Sequence, residues 1–190
     1  MKPMGKLTFA RLTPADLTAI VLQPSQAAQA RALPFMGDSP EEAAAICAQP
    51  VAWCAREGQR IVACFGIYET FPGQHGVAWA LLAEGPGKAH LELTRFVQGE
   101  IARCQLARLE LLALAPDIEE PIAVAERAFG GFNALSKVRR AFHHATPEMR
   151  WAVLLGMEPV HLLRQFGPEG ASIMLFERIR APIAALQEAA

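Results

Sequence analysis

The sequence has almost no excess of charge of either sign. Its 190 residues contain 18 lysines and arginines against 19 aspartates and glutamates, which gives a formal net charge of −1 at pH 7. Binding to nucleic acid through overall charge depends on neutralising many phosphates, so we expect no nucleic-acid partner. A local basic cluster at Arg139, Arg140 and His143–His144 is interpreted as the solvated face of a long helix.

Long hydrophobic runs are also missing. No apolar stretch reaches the roughly 18 residues that a membrane-spanning helix needs. Residues 1–9 contain two lysines but lack the apolar core that is typical of a signal peptide. We therefore expect a cytoplasmic protein with no membrane partner.

The sequence lacks the spacings that mark common metal and hydrolase sites. None of its four cysteines, Cys47, Cys54, Cys64 and Cys104, belongs to a C-x-x-C pair. No histidine completes a zinc-ligand spacing, so we expect no metal, and apolar neighbours favour buried free thiols in a reducing compartment. The absence of G-x-S-x-G and H-E-x-x-H excludes the usual serine hydrolases and zinc proteases.

What the sequence has is apolar residues, at 52% of the chain with a mean hydropathy of +0.19. A chain of this length and composition buries roughly 70% of its unfolded surface and needs neither disulfides nor a bound metal to fold. We expect a single domain over residues 1–180, followed by a frayed tail over residues 181–190.

Periodicity and breaker residues predict an α/β fold with a central mixed sheet of about six to seven strands and helices on both faces. Strands are predicted at residues 7–12, 51–56, 60–68, 76–83, 109–113, 160–166 and 172–178. Helices are predicted to begin at Thr13, near Gln26 and at Ser39, and to cover residues 89–104, 118–144 and 146–155. Within the last helix, Trp151, Leu154 and Leu155 are expected in the core.

A glycine-rich loop separates one buried strand from the following helix, an arrangement suited to binding a phosphate. The loop does not match a Walker A motif, which needs a glycine where Leu82 stands and a serine or threonine where Ala89 stands. It does not match a dinucleotide-binding fingerprint either, because His90 stands where that pattern needs a glycine. The pattern Q/R-x-x-G-x-G/A, the pyrophosphate loop of acyl-CoA-dependent acetyltransferases, has both glycines in Gly85 and Gly87 but lacks its leading residue. An ordinary strand-to-helix turn remains the alternative interpretation.

Four segments carry a wider resemblance: Ala78–Ala83, Leu93–Arg95, Arg150–Met157, and Leu163–Gly170 with the following Leu175-Phe176. On these segments the chain resembles the GNAT superfamily of N-acetyltransferases, and most closely the acetyltransferase-like proteins of tailed phages and prophages. The resemblance extends from about Leu7 to Arg178.

The resemblance implies an acyl-CoA, with acetyl-CoA as donor, bound where the fourth and fifth strands separate. It places the pyrophosphate on amides from Gly85 through Gly87 to Ala89, with Lys88 as counter-charge. The thioester would lie beside the backbone of Ala80, Leu81 and Leu82. The implied activity is direct transfer of the acyl group to an unidentified amine, without a metal.

Three departures from the family pattern favour an alternative. Pro86 has no N–H to offer a phosphate, Leu82 replaces the leading Gln or Arg, and the only tyrosine, Tyr68, is predicted on the third strand rather than after the fifth. The alternative is a non-catalytic GNAT-fold binding module or virion-associated structural protein. A third interpretation is an α/β domain that binds another phosphorylated ligand. The apolar face over residues 129–142 also suggests a homodimer.

Glu110 is the candidate general base. It stands among leucines on the strand beside the proposed cleft, where burial would make its carboxyl a proton acceptor near neutral pH. The alternative is that its side chain faces solvent or pairs with Arg108. Glu69 and His75 are further candidates for the base, and His90 is a candidate phosphate contact at the start of the helix.

Overall fold

The computed structural model describes residues 6–33, 39–85, 87, 89–116, 145–166 and 170–180. The strands are β1 Thr8–Arg11, β2 Val51–Glu57, β3 Arg60–Phe71, β4 His75–Leu82, β5 Arg108–Leu114, β6 Glu158–Phe166 and β7 Ala171–Ile179. The helices of the described residues are α1 Pro14–Ala19, α2 Pro24–Ala32, α3 Pro40–Cys47, α4 Ala89–Arg103 and α5 Pro147–Leu154. The strands form a mixed seven-stranded sheet in the order β1-β2-β3-β4-β5-β7-β6, which confirms the predicted fold class.

Proline and a capping side chain open several of these helices. Asp16 accepts hydrogen bonds from the N–H and the hydroxyl of Thr13, each at 2.9 Å, and the hydroxyl of Ser39 accepts from the Glu42 N–H at 3.2 Å. The prediction for α2 was wrong by two residues. Pro24, two residues before the start predicted near Gln26, is the first residue of that helix. A proline is tolerated there because the N–H at that position has no intrahelical partner.

The described residues fall into two compact units, one within residues 1–69 and 77–104 and the other within 70–76 and 105–190. In the first unit, β1 and β3 each pair antiparallel with β2. The rings of Phe9 on β1 and Phe96 on α4 stack at 3.8 Å between centroids. Cys54 and Cys64, both fully buried, are directly opposite each other on β2 and β3. The thiol prediction is confirmed for these two, since they are free and buried.

In the second unit, β7 lies between β5 and β6 and is antiparallel to both. Phe176 and Ile173 of β7 and Leu109 of β5 are fully buried. Helix α5 begins at Thr146, whose hydroxyl accepts from the Met149 N–H at 3.3 Å and donates to the Leu114 carbonyl at 3.1 Å. This contact ties the start of the helix to the end of β5.

One of the three core positions predicted in α5 was wrong. Trp151 and Leu155 are buried, but Leu154 is 61% exposed. The buried face also contains Glu148, three residues before Trp151, and Ala152, three residues before Leu155, whereas Leu154 lies at the edge of this face.

The β3–β4 hairpin is longer than the sequence predicts. β3 continues to Phe71 and β4 already begins at His75, so the connection predicted over residues 69–75 is reduced to a three-residue turn. Gly73 adopts φ +71° in this turn, and the Gln74 N–H donates to the Phe71 carbonyl at 3.0 Å. Thr70 is β-branched and favours extended backbone, so both strands reach the tip of the hairpin.

The helix predicted over residues 118–144, with the basic cluster and the apolar face that suggested a dimer, lies outside the described residues, as does the tail over 181–190. Within the described part of the chain, no helix is long and apolar enough to cross a membrane.

Candidate functional site

The glycine loop lies between β4 and α4, as the sequence predicts. Gly85 has φ +64° and Gly87 has φ +51°, both in the left-handed region that side chains disfavour. Among the described residues, a Cβ at Gly85 would meet no atom within 4 Å, and a Cβ at Gly87 would meet only the Gly85 carbonyl, at 4.0 Å. The chain therefore turns twice beside open space just before the helix. Pro86 and Lys88 lie outside the described residues.

Main-chain contacts fix the point from which this loop leaves the sheet. The Ala83 N–H donates to the Val62 carbonyl at 2.9 Å, and the Leu82 carbonyl accepts from the Gln23 N–H at 3.0 Å. The guanidinium of Arg60 donates to the Glu84 carbonyl at 3.0 Å. The end of β4 is held from several directions, so the position of the loop is set by the strand before it.

Helix α4 fixes the other side of the loop. Leu93, Val97 and Ile101, four residues apart, form its buried stripe. With 15 residues the helix has a substantial dipole, whose positive end lies at Ala89 beside the glycines. The free N–H groups of a first helical turn and this dipole together favour an anion.

His90 lies in the first turn of α4. Its N–H donates to the Gly87 carbonyl at 3.2 Å, and its own carbonyl accepts from the Thr94 hydroxyl at 2.7 Å. Burial lowers the pKa of the His90 imidazole, so the ring is neutral at pH 7. His90 stays a candidate phosphate contact.

The strand residues predicted beside the thioester are placed at the end of β4. The side chains of Leu81 and Leu82 are buried, and Ala80 is half-buried. Any contact that these leucines make with a bound molecule would therefore use the main chain.

A second group of polar residues, within the other unit, surrounds the predicted base Glu110. One carboxylate oxygen lies 2.7 Å from the Arg108 guanidinium and the other lies 3.2 Å from Nε2 of His75. Arg108 also pairs with Glu177 at 2.9 Å. The side chain of Glu110 is 22% exposed. The sequence left open whether Glu110 acts as a base, faces solvent or pairs with Arg108, and the structure shows the pair with Arg108. His75 is a second ion-pair partner of Glu110.

The group extends to the tip of the hairpin through Thr70. The Thr70 hydroxyl contacts Nδ1 of His75 and also donates to the His75 carbonyl at 3.2 Å. Sequence reasoning missed Thr70 and Glu177. The alternation of Arg108 and Glu110 along one strand was the available signal, but the pairing of Glu110 with Glu177 across β5 and β7 is a matter of sheet register.

Two other predicted positions lie elsewhere. Glu69 is near the end of β3, where its N–H donates to the Gln49 side chain at 3.2 Å. Tyr68 is on β3, as predicted, and packs against the apolar core of the first unit. Across the residues that the structure describes, no three His, Cys, Asp or Glu side chains gather as metal ligands would.

Comparison with known proteins identifies the fold. No protein-family model and no curated protein sequence matches the chain at a significant level. Solved structures do match. An aminoglycoside 6′-N-acetyltransferase from Enterococcus faecium has a TM-score of 0.56 and 14% identity over 93% of this chain and 98% of its own. A GNAT-family acetyltransferase from Bacillus anthracis gives 0.52 and 10%, over 93% and 96%.

A third structure, of an aminoglycoside 6′-N-acetyltransferase complexed with coenzyme A, has a TM-score of 0.54 and 11% identity over 92% of this chain and 98% of its own. The likeness spans nearly the whole of each chain, while the identities are low. It therefore concerns the arrangement of elements rather than particular residues. This chain has the GNAT acyl-CoA N-acyltransferase fold.

Proposed function

We propose that this chain binds an acyl-CoA, with acetyl-CoA as the expected donor, and transfers its acyl group to an amine. The observation that carries the proposal is the loop of Gly85 and Gly87, with left-handed backbone and open space before the first turn of α4. Such a loop accepts a diphosphate on main-chain amides. A structure with the same fold holds coenzyme A, which supports this choice of phosphorylated ligand.

The proposed cofactor contacts keep the positions predicted from the sequence. Amides at Gly85, Gly87 and Ala89 would bind the diphosphate, with Lys88 as its counter-charge. The main chain over residues 80–82 would lie beside the pantetheine arm and the thioester. A carbonyl held by a main-chain N–H is polarised toward attack, because the donor stabilises the negative charge that develops on oxygen.

In the transfer itself, the amine nitrogen attacks the thioester carbon, a C–N bond forms and the C–S bond breaks. The nitrogen carries an extra proton after the attack, and a base must remove it. The candidate from the sequence is Glu110, whose carboxylate lies 3.2 Å from Nε2 of His75. The coenzyme leaves as a thiolate, which then takes up a proton.

The missing tyrosine is compatible with this reaction. Tyr68 lies on β3, so it does not match the residue that many family members use to protonate the leaving sulfur. An ordinary thiol has a pKa of about 8.5, so its anion is a stable leaving group near neutral pH. Departure of the thiolate followed by protonation from solvent needs no dedicated acid.

The test is a calorimetric titration with acetyl-CoA, followed by a search for turnover. The acceptors are kanamycin, spermidine and a peptide with a free N-terminal alanine, which offer amines on a sugar, a polyamine and a peptide. Release of the coenzyme thiol, followed with a chromogenic disulfide, reports transfer. Binding with turnover of any acceptor supports the enzyme. Absence of binding at millimolar acetyl-CoA would contradict the proposal.

The same experiment addresses the alternative of a non-catalytic module, including a virion-associated protein of phage or prophage origin. Such a protein would show either no affinity for acetyl-CoA or affinity without thiol release for any amine offered.

A further inference from the structure

One guanidinium lies against the main chain at the start of the glycine loop. Arg60, the first residue of β3, donates from one terminal nitrogen to the Glu84 carbonyl at 3.0 Å and from the other to Oε2 of Glu57 at 2.9 Å. Glu84 directly precedes Gly85, the first of the two left-handed glycines. The positive charge of Arg60 is therefore held beside the loop that we propose binds a diphosphate.

The pairing of the strands brings Arg60 to this position. Glu57 pairs with Arg60 across the tight turn between β2 and β3, in which Gly58 has φ +61°. Two residues further along β3, the Val62 carbonyl accepts from the Ala83 N–H at 2.9 Å, just beyond the end of β4. The start of β3 and the end of β4 thus lie at the same edge of the sheet. These residues all belong to the first compact unit, together with the glycine loop and α4.

The guanidinium can accept a further partner. It has five N–H donors, and its contacts with the described residues use two of its nitrogens. The Arg60 side chain is 45% exposed and that of Glu57 is 38% exposed, so an anion from solvent can reach the pair. An exposed ion pair of this kind contributes about 0–1 kcal/mol, so a phosphate can replace the Glu57 carboxylate. Two parallel N–H groups also match phosphate oxygens in geometry.

The charge of the proposed ligand calls for a cation here. The diphosphate of an acyl-CoA carries about two negative charges, whereas the positive end of a helix dipole is equivalent to about half an elementary charge. Leu82 stands where the family pattern has Gln or Arg, and its side chain is buried. Glu57 and Glu84, as neighbours of the loop, add negative charge. In the proposed function Lys88 supplies one positive charge, and Arg60 would supply a second.

We propose that the Arg60 guanidinium binds the diphosphate of the acyl-CoA, exchanging its contact with Glu57 for a phosphate oxygen while keeping its bond to the Glu84 carbonyl. The inference rests on the proposed function and adds a residue of β3 to cofactor contacts that otherwise lie within residues 80–89. The bond to Glu84 holds the guanidinium in advance, so less side-chain freedom is lost on binding. Arg60 takes no part in the acyl transfer itself.

The first test is a calorimetric titration of the full chain with acetyl-CoA and with 3′-dephospho-CoA, which keeps the diphosphate and lacks the separate phosphate on the ribose. Arg60→Gln should lose about 10-fold in affinity for both ligands, because a charge-assisted hydrogen bond is removed. Arg60→Lys keeps the charge without the paired donors and should lose less. Unchanged affinity of folded Arg60→Gln would overturn the proposal. So would a loss that disappears with 3′-dephospho-CoA, since the guanidinium would then bind the ribose phosphate.

Arg103→Gln is the matched control. Arg103 also pairs with a glutamate three residues before it, Glu100, but it lies at the last residue of α4, about 20 Å along the helix from Ala89. This variant makes the same change of charge and should bind both ligands like the natural protein. A loss equal to that of Arg60→Gln would show that net charge alone is responsible, and would overturn the proposal.

The second test separates a charge contact from a role of Arg60 in shaping the loop. Raising NaCl from about 0.05 M to about 0.5 M screens exposed charges, so the difference in acetyl-CoA affinity between the natural protein and Arg60→Gln should shrink. Glu57→Gln should tighten binding by about two- to fivefold at low salt, because the phosphate no longer competes with a carboxylate. A difference that does not change with salt, or binding by Glu57→Gln that is no tighter than that of the natural protein, would overturn the proposal.

The two proposals fail in different ways. If the natural protein binds neither acetyl-CoA nor 3′-dephospho-CoA, the proposed function is contradicted and the role of Arg60 with it. If the natural protein binds both ligands and Arg60→Gln binds them equally well, the proposed function stands and the role of Arg60 alone is wrong.

Discussion

The indole N–H of Trp53 on β2 donates to the carboxylate of Glu100 on α4 at 3.0 Å, and this bond holds the helix that follows the glycine loop. A hydrogen bond to a charged acceptor contributes about 1.5–3 kcal/mol when it is partly buried. Phe96, in the same helix, adds an edge contact to the Trp53 ring at 5.6 Å between centroids. The helix that supports the proposed phosphate site is therefore anchored to the sheet by polar and aromatic contacts.

Replacing Trp53 by Phe keeps an aromatic ring and removes the donor. We expect the free energy of unfolding to fall by about 1–2 kcal/mol, since the Glu100 carboxylate loses a partly buried partner. Arg103→Gln is the control, because it removes an exposed ion pair of the same carboxylate and should cost less than about 1 kcal/mol. Urea denaturation measures both. If both variants lower the free energy of unfolding equally, the hydrogen bond from the Trp53 indole contributes no more to stability than the exposed ion pair.

Gly66 on β3 has no room for a side chain. A Cβ there would overlap the Val51 carbonyl oxygen and approach the Trp79 ring to 3.1 Å. Because the first contact is main chain, β2 and β3 would have to move apart. We expect Gly66→Ala to lower the free energy of unfolding by about 2–3 kcal/mol. Gly58→Ala, in open space at φ +61°, tests backbone strain alone and should cost about 1 kcal/mol. If Gly66→Ala left the free energy of unfolding unchanged, the close packing of β2 against β3 at this position would be contradicted.

Two of the four thiols should be inert in the folded protein. Cys54 and Cys64 are fully buried. The hydrogen bond with Cys54, and then burial, raise the pKa of Cys64. At pH 8 its thiol is therefore protonated as well as inaccessible. A chromogenic disulfide should react with at most two thiols within minutes in the native protein and with all four in 6 M guanidinium. Rapid reaction of four thiols under native conditions would contradict the buried pair.

His90 gives the fold a dependence on pH. Burial lowers the pKa of its imidazole below the ordinary value near 6.5, so the unfolded chain binds the proton more readily than the folded one. The contribution of the neutral ring to stability is present above pH 6.5 and is lost as the pH falls. Between pH 7.5 and 5.5 the urea midpoint should therefore fall more for the natural protein than for His90→Gln. His161→Gln, at an exposed position, should behave like the natural protein, and identical profiles for all three would refute the prediction.

Local sequence signals predicted the elements around the proposed phosphate site. Glycine adopts left-handed backbone easily in any protein, so Gly85 and Gly87 indicate a turn by themselves. The spacing of Leu93, Val97 and Ile101 likewise indicates the buried face of α4 without reference to the rest of the chain. The fold class followed from the order of such elements, which explains why it could be predicted without a structure.

The environment of Glu110 could not be predicted in the same way. Its contact with His75 depends on where β3 and β4 turn, and its neighbour Glu177 depends on the register of β7 against β5. The Thr70 contact required β3 to extend past its apolar run to Phe71. These are relations between distant segments, and composition or periodicity within a segment carries no information about them. The prediction that Leu154 is buried was wrong for a related reason. The sequence of a short helix does not determine which side of its apolar stripe other elements will cover.

Calorimetric titration of the natural protein, Gly87→Val and Gly58→Val with acetyl-CoA tests the central claim most directly. Both glycines have positive φ and open surroundings, so the two valines impose similar backbone strain. Only the valine at 87 would project into the proposed diphosphate cradle. The account predicts that the natural protein and folded Gly58→Val bind acetyl-CoA alike, whereas Gly87→Val loses at least about 10-fold in affinity, or about 1.4 kcal/mol. Equal affinity of the two variants, or no binding by the natural protein, would contradict it.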